Sequence, residues 1–285
     1  MTKGAGVLRP YINAVRGADR QAQAGGVIAV LDGEPIATAR LRAMLGVDAD
    51  QPLRDSKGLL VHAAVEGHDP TLAAAVLAGA KRDGRRVLAI VVGPADESQA
   101  IEKALLAARP LEPSNIAHVA TLDDPAPIHA AVVRCLDDEA VAAGRRHPAM
   151  RAAVAEMLIA RASRQAGAIG VVAVIPRADM PAMTLIQVRL VAQLAALYGR
   201  PLDARRGIEV AGVLAGAFGW RAIARRAAGF PVARFAVRGG VAYSATRAVG
   251  QAARTYFAQA GDRATPAADG LQATLKRALS RRGHE

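Results

Sequence analysis

GVIAVLDGEPIATARLRAMLGVD, residues 26–48, carries in miniature the pattern on which the first half of the chain is built. An apolar run, Gly26–Leu31, meets a short polar turn, and apolar side chains then recur at helical spacing over Pro35–Leu45. The run is short and apolar at consecutive positions, as expected of a strand covered on both faces. Three more runs follow: GLLVHAAV (Gly58–Val65), RVLAIVV (Arg86–Val92) and IAHVAT (Ile116–Thr121). Helical spacing fills Thr71–Arg82, Glu97–Ala108 and Ala126–Ala143. Buried strands alternating with helices predict an α/β domain with a parallel sheet and crossover helices.

Punctuation agrees with that reading. The turn Lys81-Arg82-Asp83-Gly84-Arg85-Arg86 stops one helix before the next strand, and Asp123-Asp124 precedes Pro125 as a helix cap does. Residues 1–25 show little periodicity and are expected to form a flexible arm. The α/β domain is expected over 26–147, a helical domain over 148–261, and a linker with a basic amphipathic tail over 262–285.

The chain has 285 residues, 52% of them apolar but only 3% aromatic, so its core is made of Ala, Val, Leu and Ile. One cysteine, Cys135, excludes an internal disulfide and reads as a small buried hydrophobe on a helix. No apolar stretch follows the early basic residues before Gly25, so export is not expected. The net charge of +12 is uneven. Residues 151–285 hold 20 Lys and Arg against 7 Asp and Glu, leaving 17 against 18 for residues 1–150. A basic, apolar helical surface is one that an anionic membrane attracts.

Chemistry is sparse. His62, His68, His118, His129 and His147 lack metal-ligand spacing, and no metal or cofactor is expected. Asp137-Asp138-Glu139 reads as a solvated helix face, and Ser56 and Ser98 have no base in a recognisable motif.

The stretch 26–48 resembles the first strand, phosphate loop and first helix of an Era/TrmE-like GTPase, most closely in LRAMLG (Leu41–Gly46). A working loop reads G-x-x-x-x-G-K-[ST], in which backbone N–H groups and the Lys hold phosphate and the hydroxyl holds Mg²⁺. With the register set at Gly33, the second glycine position falls on Thr38, the Lys position on Ala39 and the Ser/Thr position on Arg40. Only a dozen residues separate Leu45 from the next strand, too few for switch segments and D-x-x-G. Gly93-Pro94-Ala95-Asp96 stands at the guanine-reading position, and Val119-Ala120-Thr121 at that of the S-A-K loop. The resemblance therefore implies a degenerate GTPase-like domain without nucleotide chemistry. An unrelated small α/β domain is the competing reading, and an unconventional anion site around Gly33–Thr38, at a helix N-terminus, is a third.

Beyond the Gly144–Pro148 break, helices are predicted over Pro148–Val174, Asp179–Gly199, Ile208–Ala228 and Val232–Ala260. The second is apolar nearly all round, with Arg189 near its middle, so it must be buried in protein or in lipid. Gly212 and Gly216 have the small-x-x-x-small spacing of close helix packing. Gly239-Gly240 predicts a kink or a tight crossing in the fourth. The candidate lipid-facing groups are Trp220, Arg221, Arg225, Arg226, Phe230, Arg234 and Arg238, whose aromatic rings and snorkelling arginines suit a headgroup layer.

Residues 151–257 resemble the domain shared by YcjF-type inner-membrane proteins and the C-termini of certain Era-like GTPases. The matching texts are DMPAMTLIQVRLVAQLAALYG (Asp179–Gly199) and GGVAYSATRAVGQAARTYF (Gly239–Phe257). That resemblance implies a membrane-associated helical module on the cytoplasmic side, partnered by a GTPase or a second copy, with no assigned catalytic residue. A soluble bundle with a basic surface is the alternative. Nucleic-acid binding has charge in its favour but no recognition motif.

Overall fold

A computed structural model describes residues 3–23, 25–48, 58–94, 98–172, 180–200 and 234–259. Two compact units emerge, residues 21–154 and residues 1–20 with 155–285; the sequence pattern had set its breaks after residues 25 and 147. One expectation is corrected at the start. The arm over 1–25 is instead helix α1 (Lys3–Gln23). Tyr11, Val15 and Ala18 recur on one side of it, and the last two are buried, which is the stripe that holds a helix against a core.

In the unit over 21–154, four parallel strands lie in the order β1 (Ile28–Val30), β2 (Leu59–Val65), β3 (Arg86–Val92) and β4 (Ile116–Val119). Helices α2 (Pro35–Leu45), α3 (Thr71–Arg82) and α4 (Ser98–Ala107) connect them, and α5 (Pro125–Leu136) and α6 (Ala140–Arg146) follow. Ala29, Leu60, Ala64, Val87, Ala89 and Val91 form one face of the sheet and pack on Ala74, Leu77 and Ala78 of α3 and Ile101 and Leu105 of α4. The alternate residues Ile28, Val30, Leu59, Val61, Leu88 and Ile90 are equally buried, so the opposite face needs its own helical layer. The helices left to form it are α2, α5 and α6. His129 Nε2 lies 2.9 Å from Met44 O and His147 Nδ1 3.0 Å from Gly46 O, tying these helices' ends together. Gly58 enters β2 where no side chain fits: a Cβ there would stand 2.0 Å from Val27 O.

The helix expected over Ala126–Ala143 is broken. α5 ends at Leu136, Asp137 takes a left-handed φ of 45°, and a 3-10 turn over Asp137–Glu139 leads into α6. Asp124 does cap α5, its carboxylate accepting from Ala126 N at 2.9 Å.

In the other unit, α7 (Arg151–Val172), α8 (Met180–Leu197) and α9 (Arg234–Gln259) pack with α1. Val15 and Ala18 meet Val188 and Ala192, and Ala166 meets Met183 and Ala242. Gly199 ends α8 at φ 71°, and Arg200 N donates to Ala195 O at 2.8 Å, the expected glycine stop. α9 runs unbroken through Gly239-Gly240, and a Cβ on Gly167 of α7 would lie 3.4 Å from Gly239 O, so the pair marks a close crossing. Glu156 of α7 accepts from Arg247 at 2.7 Å and Gln251 at 3.0 Å and faces Arg254 at 3.6 Å, fixing the register of α7 on α9. Among the described residues no helix is long and apolar enough to cross a membrane. The expected helix Ile208–Ala228 lies outside them.

Candidate functional site

Parallel strands leave their C-terminal ends at one edge, where α/β folds place ligands. Here the loops after β1, β2 and β4 bring Asp32, Gly33 and Glu34, then Glu66, His68 and Asp69, then Asp123 and Asp124 to that edge. Glu34 stands immediately before α2, with Pro35 in the first turn. Its carboxylate accepts from Ala37 N at 2.6 Å and Ile36 N at 3.1 Å. Those bonds, Ala37 first, hold the Glu34 carboxyl below the usual carboxylate range. Gly33 N donates to Thr38 Oγ1 at 3.1 Å. The loop's N–H groups are thus already turned onto oxygens of the chain itself.

Beneath the loop lies His62, 2% exposed, with its Nδ1 3.4 Å from Leu31 O. A Cβ on Gly33 would come within 2.5 Å of the His62 ring, so glycine is required for close approach and not for φ. Burial pushes the His62 imidazole below its ordinary value and keeps it neutral. On the next loop, Asp69 accepts from Thr71 Oγ1 at 2.6 Å and Thr71 N at 2.9 Å, closing the turn that leads through Pro70 into α3. The Thr71 hydroxyl, then its N–H, lowers the Asp69 carboxyl.

Arg40, at the Ser/Thr position of the expected loop, reaches across to Asp123 at 2.8 Å, and Arg42 pairs with Asp32 at 2.7 Å. Ala39 is exposed on α2 and contributes no polar group. Thr38, by contrast, is buried, and its hydroxyl oxygen accepts from Gly33 N, so that N–H is turned inward and not toward an outside anion. Among the described residues no three His, Cys, Asp or Glu converge as a metal set. Cys135 points its Sγ at Val87 O, 3.6 Å away, and burial raises its thiol above the ordinary range.

Of the expected lipid-facing groups, Trp220, Arg221, Arg225, Arg226 and Phe230 lie outside the described residues, as do Gly212 and Gly216. Arg234 and Arg238 fall on the first turns of α9. Glu34 and His62 were missed by sequence reasoning. For Glu34 the signal was present, an acidic residue followed by Pro at a helix start. For His62 it was not, since a histidine inside an apolar strand reads as core.

No family model, no characterised protein and no solved structure matches the chain. Function rests on geometry and sequence alone.

Proposed function

We propose that the protein is a non-enzymatic accessory protein, in which a GTPase-like α/β unit stripped of nucleotide chemistry is a docking module. The basic helical unit associates with anionic lipid on the cytoplasmic face of a membrane, with a GTPase or a second copy as partner. The observation that carries the first part is the closure of the loop after β1. Gly33, Ile36 and Ala37 all spend their N–H groups on Thr38 and Glu34, and Ala39 and Arg40 supply neither a phosphate-binding ammonium nor a metal-binding hydroxyl. A phosphate arriving there meets a fixed carboxylate, and like charges at contact distance repel. Residual nucleotide binding is the reading this geometry opposes. The membrane part rests on the charge excess of residues 151–285.

The test of the docking-module reading is titration with fluorescent GTP and GDP in the presence of Mg²⁺. No saturable signal is expected up to about 1 mM, an affinity of roughly 4 kcal/mol or less. Saturation at micromolar nucleotide that is lost in Gly33→Ala would overturn the reading.

A further inference from the structure

Helix α3 is apolar on both sides. Ala73, Ala74, Leu77 and Ala78 face the sheet, as a crossover helix requires. On the other side, Leu72, Ala75, Val76 and Gly79 recur at i, i+3, i+4 and i+7; the first three are exposed and Gly79 is half-buried. Leu72 is 79% exposed and Val76 41%, two of the most exposed large apolar side chains among the described residues. A Cβ on Gly79 would meet no atom within 4 Å, so a notch opens at the end of the stripe opposite Leu72. Helices apolar all round are ordinarily buried, and an uncovered apolar stripe rimmed by charge marks an association surface.

We infer that this stripe is an isologous interface, on which α3 of a second copy packs antiparallel. Self-complementarity of the sequence decides the occupant. In one antiparallel register, Leu72 of each copy falls opposite Gly79 of the other, and Ala75 opposite Val76. Each large side chain meets a small one, and Leu72 fills the notch at Gly79. Asp69, just before the helix, and Arg82, in its last turn, are both exposed and stand at the ends that this antiparallel pairing brings together. A two-fold axis repeats every pair, so both ends of the contact carry opposite charges, and the helix dipoles run antiparallel. A parallel pairing would instead set Asp69 against Asp69 and Arg82 against Arg82. α4 lies beside α3 in the same layer. An interface of one helix pair sits at the low end of the size range, where association is weak and reversible.

Sedimentation equilibrium of the full chain, in buffer without lipid from about 5 to 200 µM, tests the interface. The expected result is a monomer–dimer equilibrium. Leu72→Glu weakens it at least tenfold. So does Gly79→Leu, which blocks the notch while replacing a helical glycine whose Cβ would meet open space with a better helix former, so its Tm is unchanged or higher. Arg82→Glu weakens it by a smaller factor that shrinks with added salt. A chain that stays monomeric throughout the range overturns the inference. So does a dimer that Leu72→Glu and Gly79→Leu both leave at wild-type affinity, for it then uses another surface. The interface does not depend on what the basic unit binds.

Discussion

At Glu34 one side chain determines what its loop can do. A carboxylate at the N-cap of a helix satisfies N–H groups that otherwise seek water or an anion. Its pKa is lowered by folding, so its contribution is present above the ordinary carboxylate value and is lost as the pH falls through the folded one. Asp69 acts in the same direction and the same acid window. His62 and His147 act earlier. Burial is the first cause in both and lowers both imidazoles, so the folded state resists taking their protons. Their contribution holds above the unfolded value of about 6.5 and declines as the pH falls below it. The urea midpoint is therefore expected to fall between pH 7 and pH 5, before the carboxylates titrate. His147→Asn, which can keep a donor toward Gly46 O, is expected to flatten that slope, and an unchanged slope in the variant would show that His147 is not its source.

Among the helices, glycines with opposite surroundings separate packing from propensity. Gly250 of α9 faces Ile159 and Leu190, and an added Cβ would stand 2.7 Å from Ile159 Cγ1. Ile159 is fully buried and has no room to retreat. Overpacking costs about 1–3 kcal/mol, against roughly 1 kcal/mol of helix propensity gained. Gly250→Ala is expected to lower the urea midpoint. Gly79→Ala, in open space, is expected to raise it by up to about 1 kcal/mol of stability. Equal signs in the two variants would mean that propensity outweighs packing at Gly250. The strands and the helices Pro35–Leu45 and Thr71–Arg82 were legible from the sequence because the strands are uninterrupted apolar runs and apolar side chains recur at helical spacing between them. α1 was not, since Ala and Gly blur its stripe, and what it packs against lies more than a hundred residues away. The break at Asp137 was also hidden, because α5 and α6 carry one apolar period across it. At the candidate site the absent Lys and hydroxyl could be read directly, whereas the closure of the loop by Glu34 and Thr38 needed geometry.

Across the whole molecule, charge is segregated between stretches of sequence, and lipid association is the prediction that belongs to this scale. Flotation of the full chain with neutral and with anionic vesicles is expected to be anionic-selective and reversed by salt, as for basic side chains at a headgroup surface. Recovery resistant to carbonate would require insertion by residues outside those described, and absence from both lipid fractions would remove the membrane from the proposal.

The division of the chain also fixes an order of assembly. Residues 21–154 are one uninterrupted stretch, whereas the other unit joins residues 1–20 to residues from 155 onward. Val15 and Ala18 must wait for Val188 and Ala192 to be synthesised. On the ribosome the α/β unit has its whole sequence early and can close first, as domains generally do. Helix α1, translated before the α/β unit, therefore finds Val188 and Ala192 only after that unit's sequence is complete, and until then its apolar stripe is open to whatever meets the nascent chain.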